Sequence, residues 1–346
     1  MRLFLAFLAV AGASCASAPP VTGPVAAKPK NVILIIGDGM GPSHFVAARL
    51  FRGADYRIGK MPVTGVVSTH ALNATAPDSA STATAYASGA AVNYGVISMD
   101  RSGRPLETAL EVAEKTGRAT GLVTTTNFWD ATPAAFAAHA ANRGETDTII
   151  DQMLKSGAEV IVGGGKAKFD DSRGVAAGYS VVHSWDDLST ARGDRILGVF
   201  ETQKNEIDFP EAPLPLLAAW AMERLARDPD GFFLLLENEG TDGSSHNNAT
   251  DDFIASARSV DITAGVALDF AARHPGTLVI VTGDHETGGL QILPEKSLNV
   301  ELRWGGKGHT AADLPIFAQG PGAERFLSFM TNDEVGRRLK ALLSSD

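Results

Sequence analysis

Acidic residues follow several short aliphatic runs of this chain, and this repeated arrangement constrains its fold more than any other feature. The runs, each with the acid that follows it, are Val32 to Ile36 with Asp38, Gly121 to Thr125 with Asp130, Phe232 to Leu236 with Glu237, and Thr277 to Thr282 with Asp284. Open α/β sheets bind ligands beyond the carboxyl ends of their strands. A single acid there is usually a turn or cap residue. Several at one edge repel each other unless cations lie between them.

Amphipathic segments separate the aliphatic runs, which is the pattern of a mainly parallel sheet covered by helices on both faces. The chain is therefore predicted to be an α/β protein, a three-layer α/β/α sandwich. A fifth predicted strand is Glu159 to Val162. The predicted helices are Ser43 to Phe51, Ser79 to Ser88, Leu106 to Lys115, Pro133 to Asn142, Leu214 to Arg227, Phe253 to Arg273, and Asp333 to Leu343. Residues 166 to 211 have weaker periodicity and are predicted to form peripheral elements.

Residues 1–18 have the pattern of an export signal, because Arg2 precedes an apolar run that is too short to span a bilayer permanently. Two alternatives remain for its removal. Cleavage after Ala18 would give a soluble periplasmic or secreted protein, whereas the lipoprotein-like box ending at Cys15 would leave a lipid anchor there. Residues 19–30 are predicted to be a linker, and a single catalytic domain is predicted over residues 31–346.

The formal net charge of the 346 residues is −10. A protein that binds the phosphate backbone of nucleic acids has a basic surface. The acid excess therefore argues against nucleic-acid binding. Any phosphate group bound by this chain must meet local positive charge.

Imidazoles accompany the acids in three places. Asp242 and His246 are four residues apart, close enough to hold one ion, and Asp284 directly precedes His285. His309 supplies a third imidazole. Mixed imidazole and carboxylate sets suit zinc.

An all-oxygen set is available as well. Asp38, Thr132 and Glu237 would offer only oxygen ligands, which suits magnesium. An isolated histidine is more often structural than a ligand. That interpretation is kept for His44, His70, His139, His183 and His274.

Ser79 opens a predicted helix built almost wholly of small residues, directly after Asp78. The simplest interpretation is a helix cap, since serine and aspartate both favour that position. A serine at a helix N-terminus also lies where backbone N–H groups and the helix dipole favour an anion. Which interpretation applies depends on the residues near it.

Six motifs along the chain together resemble the alkaline phosphatase family. They are Gly37-Asp38-Gly39-Met40-Gly41, Asp78-Ser79-Ala80-Ser81-Thr82-Ala83-Thr84, Asp130-Ala131-Thr132-Pro133, Glu237 with Asp242 and His246, Asp284-His285-Glu286-Thr287-Gly288-Gly289, and Gly308-His309-Thr310. The resemblance extends from about Asn31 to Gly322, and the conjunction is far more specific than any one motif.

The resemblance implies two zinc ions and one magnesium ion. Their ligands would be Asp242, His246 and His309 for one zinc, Asp38, Asp284 and His285 for the other, and Asp38, Thr132 and Glu237 for magnesium. It also implies Ser79 as the phosphorylated nucleophile. Arg143, at the end of the predicted helix after Thr132, would clamp two phosphate oxygens, and Asp130 would also face the substrate.

The implied activity is metal-dependent hydrolysis of small phosphate monoesters through a phosphoserine. A diesterase or sulfatase with the same metal core, and a phosphate- or metal-binding protein without turnover, are the alternatives. Arg143 and the serine nucleophile favour the monoester. Only 23 residues lie between His285 and His309, too few for the crown insertion that some relatives use in dimer contacts. A monomer and a homodimer both remain open.

Two of the positions that depart from the family pattern lie close to predicted metal ligands in the chain. Glu239 adds an acid between Glu237 and Asp242, where the family commonly has a small residue. Gly243 follows Asp242 where relatives often carry lysine, histidine or tryptophan. The usual partner of Asp130 is therefore expected to be missing.

Overall fold

The computed structural model describes residues 28–293 and 300–345. The predicted export signal, Cys15 and most of the predicted linker lie outside these residues. In the described part of the chain, no helix combines the length and the apolarity that crossing a bilayer requires.

A ten-stranded sheet forms the centre of the protein, with strand order β14-β2-β13-β8-β1-β7-β3-β4-β6-β5. Its pairings are parallel except those of β13 with β2 and β8. The strands of the described residues are β1 (Asn31–Gly37), β2 (Val63–Ser68), β3 (Ala119–Asn127), β4 (Val160–Gly164), β5 (Ser180–Val182), β6 (Ile196–Val199), β7 (Phe232–Asn238), β8 (Thr277–Gly283), β9 (Glu286–Thr287), β10 (Gln291–Leu293), β11 (Glu301–Arg303), β12 (His309–Thr310), β13 (Leu314–Gln319) and β14 (Phe329–Thr331).

Helices cover both faces of this sheet. Those of the described residues are α1 (Pro42–Arg52), α2 (Ser79–Ser88), α3 (Ala109–Lys115), α4 (Ala131–Ala137), α5 (Thr146–Met153), α6 (Asp171–Ala176), α7 (Trp185–Thr190), α8 (Leu214–Leu225), α9 (Gly240–His246), α10 (Thr250–Arg273) and α11 (Asn332–Leu343). Two short antiparallel pairs, β10 with β11 and β9 with β12, lie outside the large sheet.

The side chains of β1 point alternately to the two faces of the sheet and contribute to two hydrophobic cores. Val32, Leu34 and Ile36 pack into the core that contains α2, α3, α4 and α11. Ile33 and Ile35 point to the opposite face and pack with α1, α8 and α10. All residues of this strand are buried, as expected for a parallel strand covered on both faces. The predicted three-layer α/β/α sandwich is confirmed.

The register of the central strands brings their carboxyl ends to the same level. Ile36 of β1 lies opposite Glu237 of β7 on one side and Thr282 of β8 on the other. Glu237 in turn lies opposite Thr124 of β3. The carboxyl ends of β8, β1, β7 and β3 therefore lie side by side. The residues that follow these strands meet beyond this end of the sheet.

The predicted helix Pro133 to Asn142 is wrong at both ends, since α4 spans Ala131–Ala137. Ala138 is extended, with φ −148° and ψ 166°. Ala140 forms an antiparallel bridge with Ile97, and the N–H of Arg143 donates to the carbonyl of Gly95 at 2.7 Å. Pairing with a distant loop thus ends the helix, and Arg143 lies in the following loop.

The edge of the sheet at which β13 runs antiparallel to its neighbours was not predicted. It consists of β2, β13 and β14, whose sequences lack the long aliphatic runs of the parallel strands. Residues 166–211 supply α6, α7, β5 and β6, the last two at the opposite edge, which confirms their predicted peripheral position.

Candidate active site

Carboxylates gather at the common edge of the central strands, as their sequence positions predict. Asp38 follows β1, Glu237 lies in β7, and Asp284 follows β8. All three residues have no solvent exposure. Burial raises the pKa of Glu237 to about 8 and that of Asp284 to about 7, and it also raises the pKa of Asp38. Without cations, these carboxyl groups therefore retain protons near neutral pH.

Asp242, His246 and His309 form the imidazole side of the site. The Nε2 atom of His246 lies 3.2 Å from Asp242 Oδ2 and 3.1 Å from His309 Nε2. The Nδ1 atoms of the two histidines donate to the backbone carbonyls of Lys307 and Pro77. Because these contacts fix both rings, their Nε2 atoms face each other, and a proton or a metal ion must lie between them.

A second mixed group lies next to the imidazole side. His285 Nε2 is 3.3 Å from Asp38 Oδ1 and 3.3 Å from Asp284 Oδ2. Ligand atoms of these three residues all lie within 4.8 Å of one another. Burial lowers the pKa of His285 well below its usual range, so the ring is neutral and can act as a ligand.

Asp38, Thr132 and Glu237 form the oxygen side of the site. Both carboxylate oxygens of Asp38 and Glu237 and the Thr132 hydroxyl are buried without a hydrogen-bond partner in the described residues. Buried polar atoms nearly always have partners. The Thr132 hydroxyl lies close enough to Glu237 to influence its pKa. A hard cation fits this set, because it would satisfy all of these oxygens at once.

Ser79 begins α2 and faces the imidazoles. Its hydroxyl lies 3.3 Å from His285 Nε2. Asp78 caps the helix, since its side chain accepts from the N–H of Ser81 at 3.1 Å. The cap is therefore Asp78, and the Ser79 hydroxyl remains available to a ligand.

Arg143 stands beside the serine although it lies in a loop. Its Nη1 is 3.4 Å from Asp78 Oδ2, and its Nη2 is 3.3 Å from Asp130 Oδ1. Asp78 thus links the N-terminus of the serine helix to the arginine. Asp130 thus pairs with Arg143, while the usual partner from position 243 is absent, since glycine has no side chain there.

One pocket of about 470 Å³ joins these groups. It is lined by Ala76, Pro77, Ser79, Tyr94, Arg143, Glu239, Asp242, His246, Gly308 and His309. The Tyr94 side chain is exposed at this pocket. A ligand in the pocket would contact the serine, the arginine and the imidazole side together.

Gly243 is closely covered by another part of the chain. A Cβ atom there would lie 2.7 Å from the carbonyl oxygen of Asn205 and 2.5 Å from Glu206 Oε2. Asn205 and Glu206 both have positive φ angles, an uncommon backbone conformation for such residues. The space that a larger residue at 243 would occupy is thus filled by residues 205–206, an arrangement the sequence did not predict.

Thr287 is a site residue to which the sequence analysis gave no role. Its hydroxyl donates to Asp242 Oδ1 and lies 3.2 Å from His285 Nδ1. It therefore orients one residue of each mixed group. Its place within Asp284-His285-Glu286-Thr287 was the available signal.

Comparison with known proteins relates this chain to one family. Residues 29–303 match the profile of the family described as Alkaline phosphatase. Alkaline phosphatase 3 of Bacillus subtilis (strain 168) is 32% identical over 293 residues, which cover 76% of this chain and 62% of that protein. The chain thus spans less than two thirds of the length of this curated relative.

Two solved structures share the fold at 27% identity. The cold-active alkaline phosphatase from a psychrophilic Shewanella sp. has a TM-score of 0.83, covering 91% of this chain and all of that one. A variant of TAB5 alkaline phosphatase with Mg bound has a TM-score of 0.81, covering 92% of this chain and 99% of that one. On the match over residues 29–303, this chain belongs to the metal-dependent alkaline phosphatase family.

Proposed function

We propose that this protein is an alkaline phosphatase that hydrolyses small phosphate monoesters through a phosphoserine on Ser79. The observation that carries the proposal is the position of the Ser79 hydroxyl. It lies at a helix N-terminus, 3.3 Å from His285 and in one pocket with Arg143. Family membership supports the same reaction.

We assign two Zn²⁺ ions to the two mixed groups and one Mg²⁺ ion to the oxygen side. Asp242, His246 and His309 would hold one zinc, and Asp38, Asp284 and His285 the other. Thr132 and Glu237 would hold magnesium together with Asp38. Bound there, divalent cations would stabilise the serine alkoxide and the charge that develops on the ester and water oxygens.

The reaction has two displacement steps at phosphorus. The Ser79 hydroxyl loses its proton, its oxygen bonds to phosphorus, and the ester oxygen leaves and takes up a proton as the alcohol. Water then gives up a proton and bonds to phosphorus, and the Ser79 oxygen leaves and takes up a proton, which releases inorganic phosphate and restores the hydroxyl. A serine hydroxyl is weakly nucleophilic at neutral pH, which is why it requires this charged surrounding.

Arg143 positions the phosphoryl group in both steps. Its planar guanidinium offers two N–H groups at the spacing of two phosphate oxygens. Asp78 and Asp130 hold the guanidinium from two sides, so its orientation is set before substrate arrives. A monoester has three non-bridging oxygens, so two can bind this fork while the third faces the proposed metal groups. A diester has only two, which favours the monoester.

Replacing the nucleophile tests the proposal. Ser79→Ala should lower the hydrolysis of p-nitrophenyl phosphate by on the order of 10³-fold or more, because the covalent route is lost. No phosphoserine should be trapped from labelled phosphate at acidic pH. Ser88→Ala is the matched control. Ser88 lies at the other end of α2, where its hydroxyl donates a hydrogen bond to the carbonyl of Thr84. Phosphoserine in Ser79→Ala would transfer the role to another residue, and faster hydrolysis of the bis-ester or the sulfate would identify a different esterase.

We also propose that the protein acts outside the cytoplasm, in the periplasm or secreted. This rests on the export pattern of residues 1–18. Fractionation of cells that express the full chain tests it, and Cys15→Ala separates the two forms. Release from membranes in this variant alone would establish the lipid anchor, whereas a soluble wild-type protein would exclude it.

A further inference from the structure

Glu239 is a buried carboxylate to which the proposed reaction gives no role. It lies between β7 and α9, and its backbone N–H donates to Thr125 Oγ1 at 3.0 Å. The residue is only 8% exposed and lines the pocket that contains Ser79. Within residues 28–293 and 300–345, its carboxylate makes no hydrogen bond or ion pair. An ionised carboxylate in such a position requires a cation.

The carboxylate of Glu239 lies close to two proposed metal ligands. One oxygen each of Asp38, Glu239 and Asp242 lie within 4.8 Å of one another. Oxygens that share one cation at about 2.0 to 2.6 Å are separated by about 3 to 5 Å. The three oxygens therefore have the spacing of ligands around a single ion.

The chemistry of this group differs from that of its neighbours. Two other sets of three have ligand atoms equally close together, Asp242 with His285 and His309, and Asp38 with Asp284 and His285, and each contains an imidazole. The set with Glu239 consists of carboxylates alone. Carboxylate oxygens select hard cations such as Mg²⁺ and Mn²⁺ over zinc. The group therefore fits a different ion from those assigned to the mixed groups.

Arg143 makes its direct contacts with Asp78 and Asp130 rather than with Glu239. The guanidinium lines the same pocket and its charge acts on Glu239, but it forms no ion pair with that carboxylate. Glu239 thus adds a negative charge to a site that must bind a phosphate dianion. An additional divalent cation would reverse that effect.

We propose that Glu239 is a metal ligand that forms, with Asp38 and Asp242, an additional all-carboxylate position for a hard divalent cation, Mg²⁺ or Mn²⁺. The position shares Asp38 with the oxygen side but uses neither Thr132 nor Glu237, so it would hold a different ion.

Binding of Mn²⁺ to the full-length protein tests the proposal. The wild type and Glu239→Gln are stripped of metal, reloaded with Zn²⁺ and titrated with Mn²⁺, whose free concentration is read from its electron paramagnetic resonance signal. One of the Mn²⁺ equivalents bound by the wild type should weaken at least about tenfold in Glu239→Gln. Zinc content should stay the same.

Glu206→Gln is the matched control. This half-buried carboxylate acts electrostatically on Asp242 but belongs to none of the candidate metal groups. Equal Mn²⁺ binding in the wild type and Glu239→Gln, or an equal loss in Glu206→Gln, would overturn the proposal. Should Glu239→Gln not fold, Glu239→Asp decides, because a shortened ligand must still weaken the same Mn²⁺ equivalent.

The inference rests on the ligand set proposed above. Different experimental results would nevertheless contradict the proposed function and the role of Glu239. A wild-type protein that forms no phosphoserine would contradict the proposed function and leave Mn²⁺ binding at Glu239 intact. Unchanged Mn²⁺ binding in Glu239→Gln would remove only the role of Glu239.

Discussion

The imidazole side and the oxygen side of the site satisfy their polar atoms in opposite ways. On the imidazole side, backbone carbonyls hold the outer nitrogens of His246 and His309, and the His246 side chain is 39% exposed. On the oxygen side, Asp38 and Glu237 have no exposure and their oxygens have no hydrogen-bond partner in the described residues. One side is oriented by the protein itself, and the other is completed only by a cation.

This difference means that metal binding affects the two sides in different ways. The imidazole rings keep their orientation whether or not an ion is present, because the second nitrogen of each is fixed. The oxygen side lacks such support, and its carboxyl groups hold protons until a metal displaces them. Metal binding should therefore change the protonation of the oxygen side more than that of the imidazole side.

Removal of all metal should have the largest effect. A chelator should lower p-nitrophenyl phosphate hydrolysis by on the order of a thousandfold, since cations supply several kcal/mol of charge stabilisation. Zinc with magnesium should restore more activity than either ion alone, because the two sides differ in ligand type. Full recovery with one ion would remove the distinction between them.

Single substitutions on the two sides should separate their metals. His309→Ala should weaken the binding of one zinc by about 10- to 100-fold or more while Mg²⁺ or Mn²⁺ binding is kept. Glu237→Gln should do the reverse. Metal analysis of both variants after gel filtration gives the result. Loss of the same ion from both would show that the two sides form one site.

The stability of the metal-free protein should fall as pH rises. Burial raises the pKa of Glu237 to about 8 from an ordinary value of about 4.3, so the folded protein binds more protons than the unfolded chain between these values. The contribution of this protonation to the stability of the folded protein is complete below the lower pKa and is lost as pH rises through the upper pKa. Melting temperatures of the metal-free wild type should therefore decline from pH 5 to pH 8 more steeply than those of metal-free Glu237→Gln. Parallel curves would contradict this assignment.

Gly243→Ala should have the smallest effect, on stability rather than chemistry. Alanine normally favours a helix over glycine, but its Cβ would lie 2.7 Å from the Asn205 carbonyl oxygen. We expect a loss of about 1–3 kcal/mol in the free energy of unfolding, with both zinc ions retained. Gly306→Ala is the control, because its Cβ would meet no atom within 4 Å. A Gly243→Ala protein as stable as the control would show that residues 205–206 yield easily.

Features that depend on local pattern could be predicted from the sequence. Helix α2 begins and ends where its small-residue run predicts, because Asp78 and Gly89 terminate it locally. The meeting of Asp38, Glu237 and Asp284 followed from the rule that ligands bind at the carboxyl ends of parallel strands. In each case the information lies within a few residues of the element.

Features that depend on distant contacts could not be predicted. The end of α4 depends on the pairing of Ala140 with Ile97, and the role of Gly243 depends on Asn205, 38 positions away. Helical propensity reports neither contact. The antiparallel strands β2 and β13 were missed for the same reason, since they take their places by pairing with elements far along the chain.

The shared anchor formed by Asp78 has an evolutionary consequence. Because one carboxylate caps the serine helix and holds Arg143, a change at Asp78 would affect the proposed nucleophile and the proposed phosphate-binding arginine together. Tyr94 is 52% exposed at the same pocket, and its side chain neither caps the serine helix nor holds Arg143. On the proposed function, selection can therefore alter the preference for the alcohol group of the ester at such rim positions without disturbing the residues that would bind the phosphoryl group.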